Sequence, residues 1–221
     1  MTDLRSLGFL VADKNMQACL RGFFERDRWD LALGCGRFEF NTEIPGDIYV
    51  AAGEHDPGLY SHGTELLSAF ERRYEHFVVM MDAQWDGSPG ADAIRNRMRE
   101  HLTQAGWATD DCHAVVLEPE VDLWLWTGTD HTAKAMGWDS WSDLQTGLIG
   151  NGFLSPGQTK PQRPKEAAEW ALRAKGKPRT SGVYHRISSV ASLTRHACEP
   201  SLLELMETLR RWFPKIPRLS A

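Results

Sequence analysis

Three strand-length apolar segments of this chain are each followed directly by an acidic residue. These acids are Asp13 after LGFLVA, Asp82 after HFVVMM and Glu118 after CHAVVL. In a parallel α/β sheet, ligands bind beyond the carboxyl ends of the strands, where such residues meet. Several carboxylates at one edge repel each other unless a hard divalent cation, Mg²⁺ or Mn²⁺, neutralises them. The pattern therefore predicts a metal site with Asp13 and Asp82 among its ligands.

Further acids close to these positions are candidates for the same site. Asp86 lies four residues after Asp82, and Glu120 lies two residues after Glu118. Strand-end position favours Glu118 as a ligand, whereas a turn at Pro119 would present Glu120 instead. An aspartate after a strand is also ordinary turn and helix-capping chemistry, so an interpretation without metal stays open.

The residues after Asp82 also indicate the start of a helix. Ser88 is predicted to be its N-cap and Pro89 its first residue, where the missing N–H of proline costs little. The N-terminus of a helix offers backbone N–H groups and a positive dipole end to an anion. Carboxylates, a metal and a helix N-terminus together indicate phosphoryl transfer, in which the metal activates water and stabilises charge on the phosphate.

The elements that position these residues are predicted from the spacing of apolar residues. Helical spacing follows the first and third apolar runs, and DIYVAAG (47–53) is predicted to be a further strand. The order β-α-β-α-β-α-β predicts an α/β domain over residues 1–126, with a mainly parallel sheet covered by helices. Residues 127–221 are predicted to form a helical, basic C-terminal extension packed on that domain.

The formal net charge of −5 conceals an asymmetry between the two parts of the chain. Residues 1–159 hold 12 Lys and Arg against 25 Asp and Glu, and residues 160–221 hold 13 against 5. The densest basic stretch predicts contacts with a nucleic-acid backbone. Its members are Lys160, Arg163, Lys165, Arg173, Lys175, Lys177 and Arg179. Lys165, at the head of a predicted helix, is the candidate for a catalytic or phosphate-binding role. The alternative is that the basic part packs on the acidic part or is solvated.

Other residues have both a functional and a structural interpretation. His55, Asp56 and His62 follow the second predicted strand at the same sheet edge, but their spacing matches no zinc motif and Asp56 also suits a turn. Trp124 and Trp126 are expected in the core rather than as base-stacking residues.

The cysteines and the termini place the chain in a broad class. The four cysteines form no CxxC pair, so free thiols are expected, with Cys19 and Cys112 in the core. The apolar runs are too short to cross a bilayer and the N-terminus has no secretion signal, which predicts a cytoplasmic protein without a membrane partner.

Three segments resemble the motifs of the TOPRIM family, which includes primases, topoisomerases and overcoming-lysogenization-defect nucleases. The segments are VADKNM (11–16), MMDAQWDGSPG (80–90) and LEPEVDLWLW (117–126). More faintly, the chain resembles a small component of bacterial methylation-associated phage-defence systems. The resemblance implies a TOPRIM-like fold and acidic residues that jointly bind Mg²⁺. Two positions depart from the family pattern, since Asp13 replaces the usual Glu and Gln84 stands where a second Asp is usual.

These observations predict a Mg²⁺-dependent nuclease or related phosphoryl-transfer protein acting on DNA or RNA in anti-phage defence. Asp82 and Asp13 would be catalytic as well as metal-binding, Asp86 and Glu118 or Glu120 would be further ligands, and Lys165 would assist. The alternative is a catalytically inactive TOPRIM-like sensor or scaffold with protein partners in a defence complex, which Asp13 and Gln84 favour. A weaker alternative is a metal-dependent nucleotide-sugar transferase.

Overall fold

Four parallel strands in the order β2-β1-β3-β4 form the sheet at the centre of the molecule. The structure is a computed structural model that describes residues 4–51, 55–193 and 199–215. The strands are β1 (Arg5–Val11), β2 (Ile48–Val50), β3 (Tyr74–Asp82) and β4 (Cys112–Leu117). The register aligns Val11 of β1 with Val50 of β2 and Met80 of β3, so these strands end close to one another at the carboxyl edge. The predicted α/β class and parallel sheet are confirmed.

Helices connect the strands and continue through the C-terminal part of the chain. They are α1 (Lys14–Phe24), α2 (Trp29–Leu33), α3 (His55–Ser68), α4 (Ala91–Gln104), the 3-10 helix η1 (Val121–Leu125), α5 (Asp130–Met136), α6 (Trp141–Gly150), α7 (Pro164–Arg173), α8 (Ser181–Val190) and α9 (Pro200–Trp212). Each parallel pair is joined by a crossover that contains a helix, as parallel pairing requires. The central strands β1 and β3 are almost continuously buried, which explains their long apolar runs.

The C-terminal helices share one core with the sheet. Among the described residues, the buried apolar side chains form one connected cluster that includes Leu20 of α1 and Ile187 of α8. Helix α8 lies against α1, and α9 contacts β4. The approach of α8 is close at Gly22, where an added Cβ would meet the Ser188 Cβ at 2.7 Å. Helices α8 and α9 therefore pack on the α/β part and cover apolar surface of that part.

The predicted start of the helix after Asp82 is wrong. Helix α4 begins at Ala91 with Gly90 as its N-cap, not at Pro89. Ser88 instead donates its hydroxyl proton to the carbonyl oxygen of Ala83 at 2.5 Å, and its Oγ accepts from Gly90 N at 3.2 Å. Gly90 has a φ of 94°, which suits glycine, so residues 83–90 form a turn that precedes the helix.

No helix within the described ranges is both long and apolar enough to cross a membrane.

Candidate functional site

Three aspartates lie at the carboxyl ends of three adjacent strands. Asp13 follows β1 and caps α1, Asp56 lies in the first turn of α3 after β2, and Asp82 is the last residue of β3. Because β1 pairs with both β2 and β3, the parallel sheet brings their carboxyl ends side by side. This is the edge of the sheet at which the sequence predicts Asp13 and Asp82 to meet, and Asp56 joins them there.

Each of these carboxylates accepts backbone hydrogen bonds through one oxygen. Oδ1 of Asp13 accepts from the N–H groups of Asn15 and Met16, both at 2.8 Å. Oδ1 of Asp56 accepts from the N–H of Asp82 at 2.7 Å. Oδ1 of Asp82 accepts from the N–H of Val121 at 2.8 Å. The Oδ2 atoms take part in no hydrogen bond among the described residues, so each carboxylate is held in place while keeping one oxygen for another partner.

Burial and the charges of neighbouring acids raise the pKa values of Asp56 and Asp82. Asp82 is 8% exposed, and its pKa is raised well above the usual value. Burial is the largest cause, and the charges of Asp56 and Asp13 raise the pKa of Asp82 further. Burial also raises the pKa of Asp56 to about 6, with the charge of Asp13 adding to it and the hydrogen bond from Asp82 N opposing it. The three acids thus form an electrostatically coupled group in which negative charge is costly.

The donor set suits a hard cation, but its spacing does not yet match a coordination sphere. Carboxylate oxygens are the ligands that Mg²⁺ prefers, and the uncommitted Oδ2 atoms are of that kind. Within the ranges that the structure describes, however, no three His, Cys, Asp or Glu side chains lie close enough together to hold one metal ion. A cation shared by Asp13, Asp56 and Asp82 therefore requires their side chains to close around it.

A cavity of about 460 Å³ contains the next set of predicted site residues. It is lined by Gln84, Trp85, Asp86, Glu120, Gln162, Arg163, Pro164, Lys165 and Glu166. The backbone N–H of Lys165, in the first turn of α7, donates to Oε1 of Glu120 at 3.2 Å. Burial, and then the charge of Asp122, raises the pKa of Glu120 to about 7, which suits a group that exchanges protons near neutral pH.

The two alternatives for the fourth strand, Glu118 and Glu120, lie in different places. Glu118 is exposed and lines a separate cavity with Arg95 and Glu204. Glu120 lies in the cavity that also contains Asp86 and Lys165. Of the two glutamates, the structure therefore brings Glu120 together with Asp86 and Lys165 and leaves Glu118 apart from them.

Asp122, two residues after Glu120, is the centre of a buried ion pair. Its carboxylate accepts hydrogen bonds from Arg179 Nη2 at 2.8 Å and from the Tyr184 hydroxyl at 2.5 Å. Burial is the largest single influence on the pKa of Arg179 and lowers it, but the charge of Asp122, the charge of Tyr184 and the hydrogen bonds to Asp122 together raise that pKa above its usual value. The guanidinium that the sequence predicts to bind nucleic acid is thus already paired with a protein carboxylate.

The rest of the basic stretch is spread over the surface of the C-terminal part. Arg163 and Lys165 line the cavity described above. Lys175 Nζ lies 4.3 Å from the centre of the Trp138 ring. Arg173 and Lys177 are exposed, and Lys160 is half-buried. The sequence predicts that this basic stretch contacts a nucleic-acid backbone, and the structure places two of its cations, Arg163 and Lys165, in the cavity of the candidate site.

The remaining candidates divide between surface and core. His55 and His62 are exposed, at the start and in the middle of α3. Trp124 and Trp126 are buried as expected, and their indole N–H groups donate to Ser201 Oγ and to the carbonyl oxygen of Pro164. Cys19 and Cys112 are buried free thiols, as predicted. Cys198 lies outside the described residues.

Several cavity residues are not among the sequence-derived candidates. Trp85 gives a sequence signal, since it lies between Asp82 and Asp86 in a segment that otherwise suits a polar turn. Gln162 and Glu166 give none, because they lie in and directly after a Gly- and Pro-rich segment and their position depends on how α7 packs.

No protein-family model, no curated protein and no solved structure matches this chain. What the chain does must therefore be inferred from the site itself.

Proposed function

We propose that this chain is a TOPRIM-like phosphoryl-transfer protein that binds a divalent cation, Mg²⁺ or Mn²⁺, and cleaves phosphodiester bonds in DNA or RNA. The observation that carries the proposal is the coupled group of Asp13, Asp56 and Asp82 at the carboxyl edge of a parallel sheet. Such a concentration of negative charge around the buried Asp82 is costly in the absence of a cation, and divalent cations offset that cost. The resemblance to phage-defence proteins supports antiviral defence as the setting.

The residues divide into a cation-binding part and a substrate-binding part. Asp82 and Asp13 would hold the cation, and Asp56 supplies the negative charge that Gln84 lacks relative to the family pattern. When bound, the cation would activate a water molecule and offset charge on the phosphate. Lys165 contributes a positive charge in the cavity that Asp86 and Glu120 also line, where a phosphate oxygen would lie.

Proton transfer in this proposal belongs to Glu120. Its pKa of about 7 allows it to accept a proton from water and to return one to a leaving oxygen near neutral pH. Asp86, exposed in the same cavity, is a further candidate ligand for a cation that bridges to the substrate.

Calorimetric titration with Mn²⁺, combined with a cleavage assay on labelled DNA and RNA, tests the proposal. Asp82→Asn should abolish both cation binding and cleavage, because it removes the charge of the most buried ligand while its Oδ1 still accepts from Val121 N. Glu118→Gln is the matched control, since it replaces a carboxylate by an amide at an acid apart from Asp13, Asp56 and Asp82. It should leave cation binding and cleavage unchanged. Cleavage that persists in Asp82→Asn would overturn the proposal.

A second candidate is the inactive sensor or scaffold. It is supported by Gln84 at the position of the family's second aspartate, and by the spacing of the described carboxylates, which does not form a three-ligand group. It predicts no cleavage with Mn²⁺ or Mg²⁺, together with binding to nucleic acid or a protein that Asp82→Asn leaves intact. Loss of binding in that variant would count against the scaffold.

A further inference from the structure

Two cavities of this molecule have lining residues in common, and together they are called the cleft. The first, of about 460 Å³, contains Asp86, Glu120 and Lys165, and the second, of about 240 Å³, is formed by the segment after α6. Gln162 and Arg163 line both. Together the two volumes fall within the roughly 300–1,000 Å³ of typical ligand sites. A ligand in this cleft would extend from Asp86 and Glu120 to the surface around Phe153.

Flat side chains lie at both ends of the cleft. Trp85 lines the first cavity and is half-buried. In the second cavity, the guanidinium carbon of Arg163 lies 5.3 Å from the centre of the Phe153 ring, and Trp170 packs against Phe153 at 5.8 Å between ring centres. Phe153 thus supports the guanidinium of Arg163 as a second flat surface. Indole rings and guanidinium planes are the groups on which unpaired nucleobases stack.

The cleft also carries the positive charges of Arg163 and Lys165. Within the described residues, neither Arg163 nor Lys165 lies within 4.0 Å of a carboxylate oxygen, so neither is part of an ion pair. Gln162 adds an amide with both donor and acceptor atoms for the edge of a base. The cleft also contains three acids, Asp86, Glu120 and Glu166, which repel a phosphate group. Binding of a phosphate in the cleft therefore depends on a cation that offsets this repulsion.

We propose that this cleft binds single-stranded nucleic acid, with one base on Trp85, a neighbouring base on the Arg163–Phe153 pair and the intervening phosphate at Lys165. The inference rests on the proposed function, because the phosphate would then lie beside Glu120 and Asp86, where phosphodiester cleavage is proposed. A duplex does not fit this arrangement, since its bases are stacked on each other and cannot reach the two protein surfaces.

Fluorescence anisotropy with a labelled oligothymidine of about 10 nucleotides tests the inference. The comparison probes are an abasic strand of the same length and a duplex, each measured with and without Mn²⁺. Oligothymidine should bind best and should bind more tightly with Mn²⁺. Trp85→Leu and Phe153→Leu keep an apolar side chain but remove the flat surfaces, and each should weaken binding of oligothymidine roughly tenfold while leaving binding of the abasic strand unaffected.

A charge-matched pair of variants separates this cleft from general attraction to the basic C-terminal part. Arg163→Gln should weaken binding of oligothymidine severalfold. Arg173→Gln removes the same charge from an exposed position on α7 that lines neither cavity, and it should have no effect. Equal losses in the two variants, or equal affinity for the abasic strand, would overturn the inference.

The two proposals fail in different ways. If Trp85→Leu and Phe153→Leu bind normally while Asp82→Asn loses cleavage, the cleft is not the base-binding site but the proposed function stands. If they lose binding and no variant or wild-type protein cleaves, the cleft assignment stands and the catalytic proposal fails. Circular dichroism of each variant confirms that folding is retained before either conclusion is drawn.

Discussion

The backbone N–H of Asp82 donates a 2.7 Å hydrogen bond to Oδ1 of Asp56, which fastens the start of α3 to the end of β3. The bond fixes two acidic side chains near each other in a region where both are poorly hydrated. They cannot relieve their repulsion by moving apart without breaking it. The remaining ways to relieve it are protonation and a bound cation, and each has a measurable consequence.

Replacement of Asp82 by Asn should stabilise the protein in the presence of a chelator. The amide keeps the hydrogen bond from Val121 N but removes a buried negative charge, so we expect a gain of about 1 kcal/mol in the free energy of unfolding at pH 8. Urea denaturation measures the difference. If Asp82→Asn instead lowered the free energy of unfolding, the negative charge of Asp82 would have to be stabilised by the protein itself rather than by a cation.

Asp56 should make stability depend on pH in a definite direction. Its pKa is raised to about 6 from an ordinary value of 3.8, so the folded state binds its proton more tightly than the unfolded state. Its contribution to stability is fully present below about pH 4 and is lost as the pH rises through about 6. Relative to Asp56→Asn, wild-type protein in chelator should therefore gain stability as the pH is lowered through this range.

Urea midpoints of wild type and Asp56→Asn, measured across that range, check this prediction. The comparison with the variant cancels the contribution of histidines to the pH dependence of stability, because both proteins contain them. His76 is an example: burial lowers its pKa, so its contribution to stability increases as the pH rises, opposite to that of Asp56. If the urea midpoints of the two proteins changed with pH in parallel, the prediction that Asp56 makes stability depend on pH would be wrong.

Arg179→Gln should be strongly destabilising. The change leaves the buried Asp122 carboxylate without its cation, and breaking such a pair typically costs about 3 kcal/mol or more. Arg173→Gln, an exposed position on α7, should change the free energy of unfolding by less than about 0.5 kcal/mol. Similar effects of the two substitutions would mean that Arg179 is in practice a solvated surface residue.

Gly22→Ala should disturb the packing of α8 on α1. The added methyl group would lie 2.7 Å from both the Ser188 Cβ and the His185 carbonyl oxygen, so the helices must separate, at a cost of roughly 1–3 kcal/mol. In Gly182→Ala, in α8 itself, the added methyl group would lie 3.6 Å from Thr180 Oγ1, an ordinary van der Waals contact, so this change should be neutral or slightly stabilising. Thermal unfolding of the two variants tests whether the C-terminal helices are part of the cooperative fold.

Much of the fold follows from patterns that are local in the sequence. The apolar runs ending at Ala12, Met81 and Leu117 coincide with β1, β3 and β4 to within a few residues, because buried parallel strands need continuous apolar side chains. The same runs predict that Asp82 lies at the carboxyl edge of the sheet. Helix α4 is also predicted, but its first residue is not, because Ser88 bonds to Ala83 rather than to the helix.

The site is less predictable where it depends on partners distant in the chain. Nothing near Asp122 indicates that Arg179, 57 residues later, will neutralise it. The choice between Glu118 and Glu120 likewise depends on the first turn of α7, which donates to Glu120 from 45 residues away. Local spacing predicts which strand ends carry acids, and tertiary packing decides which of those acids are paired, capped or left in the cleft.

The hydrogen bond from the Arg26 side chain to the carbonyl oxygen of Ser188 joins residues 162 positions apart. During synthesis on the ribosome, α1 therefore emerges long before the helix that covers it. The apolar side chains of α1 that pack against α8 stay uncovered until most of the chain has been made. Contacts between residues so far apart in the sequence also form slowly. A nascent chain stalled before residue 181 should accordingly bind chaperones or a hydrophobic dye more strongly than one stalled after α8 is complete.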